Sequence, residues 1–211
     1  MITLADAEAV AQAGAETVAA AIRGGTRTLA LTGGTTPRRM HELLASMDLE
    51  WGRVSVLFGD ERCVPPGDPE SNFEQARQTL LRHVAPASVH RMPAELGPEA
   101  AAARYEPLVA AAPLDLVLLG IGQDGHTASL FPGNAALEAS TYVAPVFGAP
   151  KPPARRVTIT LRALREARRV IVLASGRDKA VAVGRALAGE VPAGLISGAE
   201  WFLTRDAVPD R

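Results

Sequence analysis

Of the four histidines in this 211-residue chain, one stands where it could move a proton. His126 closes the stretch Gly120-Ile121-Gly122-Gln123-Asp124-Gly125 and is followed by Thr127-Ala128-Ser129-Leu130-Phe131-Pro132. The glycines, Gly122 and Gly125 among them, clear space for a ligand beside the backbone. An imidazole whose ordinary pKa is near 6.5 suits general base work at neutral pH. Asp124, two residues upstream, is close enough to orient the ring or stabilise its charge. The plainer alternative is a histidine that caps the next helix; the surrounding glycines favour catalysis.

Three further loops carry groups that could hold an anion. In Thr32-Gly33-Gly34-Thr35-Thr36-Pro37, paired glycines let the backbone approach a ligand, and the helix that follows would offer unpaired N–H groups and its positive end. A simple capped turn reads equally well. The stretch matches neither the P-loop, which needs Gly-Lys-Ser/Thr, nor the dinucleotide fingerprint G-x-G-x-x-G. Gly59-Asp60-Glu61-Arg62 puts two carboxylates and a guanidinium at a strand end. There the opposite charge is expected to keep the acids ionised and leave Arg62 to meet a phosphate or carboxylate, unless the group is a local salt bridge on a turn. Ser175-Gly176-Arg177-Asp178-Lys179 opens a helix with a lysine in its first turn, and Arg155-Arg156 precedes a strand. Arg162, Arg165, Arg168 and Arg169 have the spacing of a solvated helix face. Cys63 has no histidine near it in sequence and reads as a packed thiol. His41, His83 and His90 lie in helix-like or surface segments, and His41 is expected to face solvent.

These loops need strands to present them. A stripe of Leu4, Ala7, Val10, Ala11, Ala15, Val18, Ala19 and Ile22 predicts an amphipathic helix that stops at Gly24-Gly25. Short apolar runs then end in the loops: Thr28–Thr32 before Gly33, Val54–Phe58 before Gly59, Leu114–Leu119 before Gly120, and Val170–Ala174 before Ser175, with a helix from about Asp178 to Ala188. Continuous rather than alternating apolar strands predict burial on both faces. The expected fold is therefore α/β, a mostly parallel sheet with helices on both faces, formed by residues 1–211 as a single domain. In such sheets a ligand binds beyond the carboxyl ends of the strands, so the loops should converge on one cleft. Pro65-Pro66 and Ala149-Pro150-Lys151-Pro152-Pro153 read as loops within the domain.

Composition bounds the function. A formal charge of −1 lacks the basic excess of a nucleic-acid binder. One cysteine allows neither an internal disulfide nor a Cys-type zinc site, and a reducing, cytoplasmic setting is expected. Met1 to Ala21 carries Asp6, Glu8 and Glu16 and lacks the basic start and apolar run of a signal peptide. No segment approaches the roughly 18 apolar residues needed to cross a bilayer.

Taken in order, Gly33-Gly34-Thr35, Asp60-Glu61-Arg62-Cys63-Val64-Pro65 with Ser71-Asn72, the stretch from Gly120 through Asp124-Gly125-His126 to Pro132, and Arg156-Val157-Thr158 resemble the 6-phosphogluconolactonase family, from about Leu29 to Phe202. The related glucosamine-6-phosphate deaminases share the Asp-Glu and Asp-Gly-His elements but usually continue Ala-Phe-Asn-Glu-Pro, where this chain reads Ala128-Ser129-Leu130-Phe131-Pro132. The resemblance implies a Rossmann-like α/β domain and hydrolysis of 6-phospho-D-glucono-1,5-lactone to 6-phosphogluconate in the pentose phosphate pathway, with no metal and no cofactor. The partner implied is a small phosphorylated lactone, with neither nucleic acid nor membrane, and the protein is expected to act as a monomer or weak homo-oligomer.

By position, the resemblance gives Gly33, Gly34, Thr35, Arg156 and Lys179 to the phosphate, with Gly122 and Gly125 beside the substrate. Arg62 and Asp60 join His126 and Asp124 as candidate catalytic residues. Glycine-loop N–H groups or Arg62 would meet charge on the carbonyl oxygen. An amino-sugar-phosphate deaminase is the nearest rival; a non-catalytic sugar-phosphate sensor is another, though the chain has no room for an added helix-turn-helix domain. Thr204 stands where the family commonly has aspartate, which leaves the packing there open.

Overall fold

A computed structural model describes residues 1–209; Asp210 and Arg211 lie outside it. The chain opens with a short strand β1 (Ile2–Leu4) and then the striped helix α1 (Ala7–Arg23), which Asp6 caps by accepting the Ala9 N–H at 2.9 Å. Of the predicted stripe the helix buries Val10, Ala11, Ala15, Val18, Ala19 and Ile22, whereas Leu4 belongs to β1 and Ala7 is exposed in the first turn. Strand β2 (Thr28–Leu31) leads into α2 (Thr35–Ala45), and β3 (Ser55–Phe58) into a three-residue strand β4 (Asp60–Arg62). Next come α3 (Asn72–Ala76), a π-helical turn Arg77–Leu81, β5 (Ser88–Val89) and α4 (Pro98–Ala110). The second half runs β6 (Leu116–Gly120), β7 (Val143–Val146), β8 (Arg156–Ile159), α5 (Leu161–Glu166), β9 (Val170–Ala174), α6 (Ala180–Leu187) and β10 (Glu200–Thr204).

Seven strands form one parallel sheet in the order β1-β10-β9-β6-β2-β3-β5. Its central strands are buried on both faces: every residue of β9 is buried, and Leu29–Leu31 of β2 and Leu116–Leu119 of β6 are inaccessible to solvent. Helices cover the sheet, α1 and α2 packing on each other and on β9. The expected Rossmann-like α/β class is what the chain adopts.

Two expectations need correction. Asp60-Glu61-Arg62 is not a loop at a strand end but a strand, the edge of a second, antiparallel sheet of order β4-β8-β7 that pairs Asp60 with Thr158 and Arg62 with Arg156. The arginine run after Leu161 is not one helix face, because α5 stops at Glu166; Arg168 instead reaches Asp115 at 3.2 Å and Arg169 binds Glu200 at 2.6 Å. No helix among the described residues is long and apolar enough to cross a membrane.

Candidate active site

The strand order reverses between β2 and β6: from β2 the chain steps outward to β3 and β5, from β6 to β9 and β10. The loops leaving two adjacent strands there diverge and open a crevice, the place where such sheets take ligands. A cleft of about 280 Å³ occupies it, lined by Gly33, Gly34, Thr35, Asp60, Arg62, Gly122, His126, Arg156 and Lys179 among others. Nine of the eleven residues named from sequence thus share one cavity wall. Asp124 supports His126 from behind, and Gly125 shapes the turn.

The loop after β6 is closed on itself. Gly122 N–H donates to the His126 carbonyl at 2.8 Å, and Gly125 N–H to the Gly122 carbonyl at 3.0 Å. A Cβ on Gly122 would overlap both the His126 Nδ1 and the Asp124 carboxylate, and Gly125 has φ +84° with Val191 2.5 Å from where its Cβ would lie. Gly122 therefore makes space for the His126 side chain itself, not only for a ligand. Within this turn the His126 Nδ1 meets Asp124 Oδ1 at 2.5 Å, and the ring leans on Phe131 with centroids 4.4 Å apart. With Nδ1 committed to the carboxylate, Nε2 is the nitrogen left for the cleft. Burial lowers the His126 pKa below its ordinary value, and the Asp124 contact opposes that without reversing it. Burial pushes Asp124 the other way, but its bonds and charge contact with His126 bring it below the usual aspartate range. At neutral pH both shifts favour a neutral imidazole on an ionised carboxylate.

The loop after β2 offers backbone. Gly34 has φ +115° and precedes α2, so the first turn of that helix presents unpaired N–H groups beside the hydroxyls of Thr35 and Thr36. A Cβ on Gly33 would overlap Asn72 Oδ1. Thr36 Oγ1 lies 2.7 Å from Ser175 Oγ, which ties this loop to the one after β9. From that loop comes Lys179, 3.3 Å from Asp178 and on the cleft wall. Thr204 accepts the Gly176 N–H at 3.0 Å and donates to Asp206 Oδ1 at 2.5 Å. Thr204 is thus buried and bonded on both sides, so the packing left open in the sequence is intact.

The second sheet delivers the remaining groups, in roles partly different from those expected. Glu61 is buried, and its oxygens take the N–H groups of Arg62, Asn72 and Phe73 and the Ser71 hydroxyl at 2.8–2.9 Å. It anchors the start of α3, and burial raises its pKa. Arg62 does not hold these acids: its Nη1 donates to the Glu70 carbonyl at 2.5 Å. Asp60, 4% exposed, accepts from Asn72 Nδ2 at 2.9 Å and from Ser129 Oγ at 2.5 Å, so it bridges α3 to the segment just past His126. Arg156 is as deeply buried; its Nε and Nη2 donate to the carbonyls of Pro153, Lys151 and Pro152, and its guanidinium sits 5.4 Å above the Phe131 ring. Among the described residues its Nη1 has no hydrogen-bond partner.

Lys151, Asn72 and Ser175 also line the cleft. Lys151 was hidden in a proline-rich loop. A signal was available: the chain has only two lysines, Lys151 and Lys179, and both lie here. His41 does not face solvent. It is fully buried between α2 and the π-helical turn, 3.4 Å from Thr79 Oγ1 with Nε2 unpartnered, and burial holds its pKa at about 4. Cys63 is half-buried, its thiol pushed up to about 11 chiefly by burial, which fits an inert packed side chain.

Residues 5–203 match the family model described as glucosamine-6-phosphate isomerases/6-phosphogluconolactonase. The 6-phosphogluconolactonase of Streptomyces coelicolor is 42% identical over 187 residues, covering 78% of this chain and 72% of that protein. That of Mycobacterium tuberculosis is 41% identical over 214 residues, covering 90% and 87%. The crystal structure of 6-phosphogluconolactonase from Thermotoga maritima superposes with a TM-score of 0.88 at 28% identity, covering 96% of this chain and 98% of that one. On the strength of the family model and these relatives, the chain belongs to the glucosamine-6-phosphate isomerase/6-phosphogluconolactonase family.

Proposed function

We propose that this protein hydrolyses 6-phospho-D-glucono-1,5-lactone to 6-phosphogluconate in the oxidative pentose phosphate pathway, with His126 as general base. The observation that carries the reading is the division of the cleft. A neutral imidazole backed by Asp124 stands on one side, and a backbone anion cradle at Gly33-Gly34-Thr35 with Lys179 lines the same cavity. A phosphate held at the second site would fix an ester carbonyl near the first, and such positioning makes a modest base effective. His126 Nε2 takes a proton as water attacks C1. The tetrahedral adduct then expels the ring oxygen, and the same nitrogen returns the proton to it. Asp124 holds the ring in the tautomer that leaves Nε2 unprotonated. Asp60 acts as a positioning residue, since both its oxygens are engaged by Asn72 and Ser129.

The partner is thus a small phosphorylated lactone; with a single cysteine and near-neutral charge, the protein fits the cytoplasm as one α/β domain, a monomer or weak homo-oligomer. The lactone also opens unaided, so the test is the excess rate on freshly generated substrate. His126→Ala is expected to remove about 10³-fold of that excess while leaving the fold intact. A variant as fast as the parent, or ammonia release from an amino-sugar phosphate, would overturn the reading.

A further inference from the structure

Lys151 and Lys179 are the only lysines among 22 basic residues, and they reach the cleft from different elements. Arginine serves everywhere else in the chain, where a fixed planar fork or a solvated charge suffices. A lysine differs by carrying a compact charge on a flexible stem, free to follow an oxygen whose charge changes during a reaction. Lys179 is tethered to Asp178. Lys151 is exposed, and among the described residues its ammonium group has neither a hydrogen-bond nor an ion-pair partner.

Its backbone, by contrast, is fastened. The Arg156 guanidinium gathers the carbonyls of Lys151, Pro152 and Pro153 at 3.0–3.2 Å, lies over Phe131, and Phe131 packs on the His126 ring. Flanking prolines restrict the chain further. The other cations on the His126 side are immobilised: Arg62 on the Glu70 carbonyl, Arg156 on the three carbonyls just named. Lys151 is the uncommitted one, and its base is built from the same stack that supports the imidazole.

We propose that Lys151 is a catalytic residue of the lactone hydrolysis, its ammonium group meeting the negative charge that forms on the carbonyl oxygen and persists on the product carboxylate. This rests on the lactonase reading above. As the water oxygen bonds to C1, its proton passes to His126 and the carbonyl electron pair moves onto oxygen opposite Lys151. The C=O then re-forms, the C1–O bond to the ring oxygen breaks, His126 protonates that oxygen, and the acid releases a proton to solvent. Lys151 stays protonated throughout. Its charge has a second effect, adding to the depression of the His126 pKa that burial begins, against Asp124 and Asp60, which raise it. Arg62, Arg156 and Lys179 are the remaining charged groups on the cleft wall.

The experiment compares Lys151→Gln and Lys151→Arg with the parent by steady-state kinetics on fresh lactone, and by NMR titration of the His126 ring without substrate. Lys151→Gln is expected to lower kcat about 10²-fold with KM nearly unchanged. The His126 pKa and the acid limb of kcat/KM should both move up, and Lys151→Arg should restore the pKa and part of the rate. A raised KM at unchanged kcat would overturn the proposal in favour of a phosphate anchor. An unmoved imidazole pKa would overturn it by showing the ammonium too distant to act. Failure of the parent protein to speed lactone opening would overturn the underlying reading and would be seen before any substitution.

Discussion

The loops after β2 and β6 leave neighbouring strands at the same reversal of the sheet, yet they are built on opposite plans. After β6 the backbone is folded back on its own hydrogen bonds, and side chains fill it so fully that no Cβ fits at Gly122. After β2 the loop offers N–H groups and hydroxyls, with Gly34 and Thr35 exposed and few side-chain commitments. A proton-transfer group needs one orientation, and a crowded turn supplies it. An anion with several oxygens needs many donors of loose direction, which an open turn at a helix start supplies.

The largest effect should come from violating the crowded side. Gly122→Ala inserts one methyl group where the His126 ring and Asp124 carboxylate meet. The imidazole must swing away, so activity is expected to fall about 10³-fold, close to the loss from removing the histidine. Thermal unfolding should change little beside that loss, since the loop lies at the cleft and not in the sheet. If the variant retained most of its rate, the tight packing of this turn would not be what aims the base.

On the open side a single change should cost less and act on binding. Lys179→Met removes a cation from a site that keeps its backbone donors and helix end, so KM should rise about 10- to 100-fold while kcat holds within a few fold. Inorganic phosphate, tested as a competitive inhibitor, should weaken in parallel. A fall in kcat at constant KM would show that Lys179 belongs with the chemistry rather than with the anchor.

Much of this contrast was legible in the sequence, because it depends on local features. Apolar runs ending in glycine gave β2, β3, β6 and β9, four of the seven strands of the parallel sheet, with their loops, and Asp124 and His126 lie only two positions apart. What escaped depends on partners distant in the chain. Asp60-Glu61-Arg62 has no apolar run and is a strand only because Arg156-Val157-Thr158, far along the chain, pairs with it. Arg156 was named as an anion ligand, but the carbonyls it gathers come from a bend that only the folded loop reveals. The residues of α2 show a different failure. Pro37, Met40, His41 and Leu44 are buried at helical spacing, so the pattern places His41 inside, and only its polar type argued otherwise.

His41 lets the comparison be tested without touching the chemistry. It lies in the helix that begins with the anion cradle and packs on the π-helical turn, away from the His126 loop. Its folded pKa of about 4 lies below the ordinary histidine value near 6.5. Above that ordinary value neither state is protonated, and the group costs nothing. As pH falls through it the unfolded chain gains a proton that the fold refuses, and stability drops until about pH 4, by roughly 3 kcal/mol in total. His126 is displaced in the same direction, so the two must be separated by substitution. His41→Leu is expected to match the parent in kcat and KM near pH 7.5 and to lose less stability on acidification, by up to about 3 kcal/mol in urea unfolding at pH 4. Hydrogen exchange in the parent at pH 5 should then quicken in α2 before the His126 loop, because the cradle's helix is seated on a buried imidazole whose Nε2 has no partner. Equal acid sensitivity in parent and variant would mean that the two sides of the cleft share one stability.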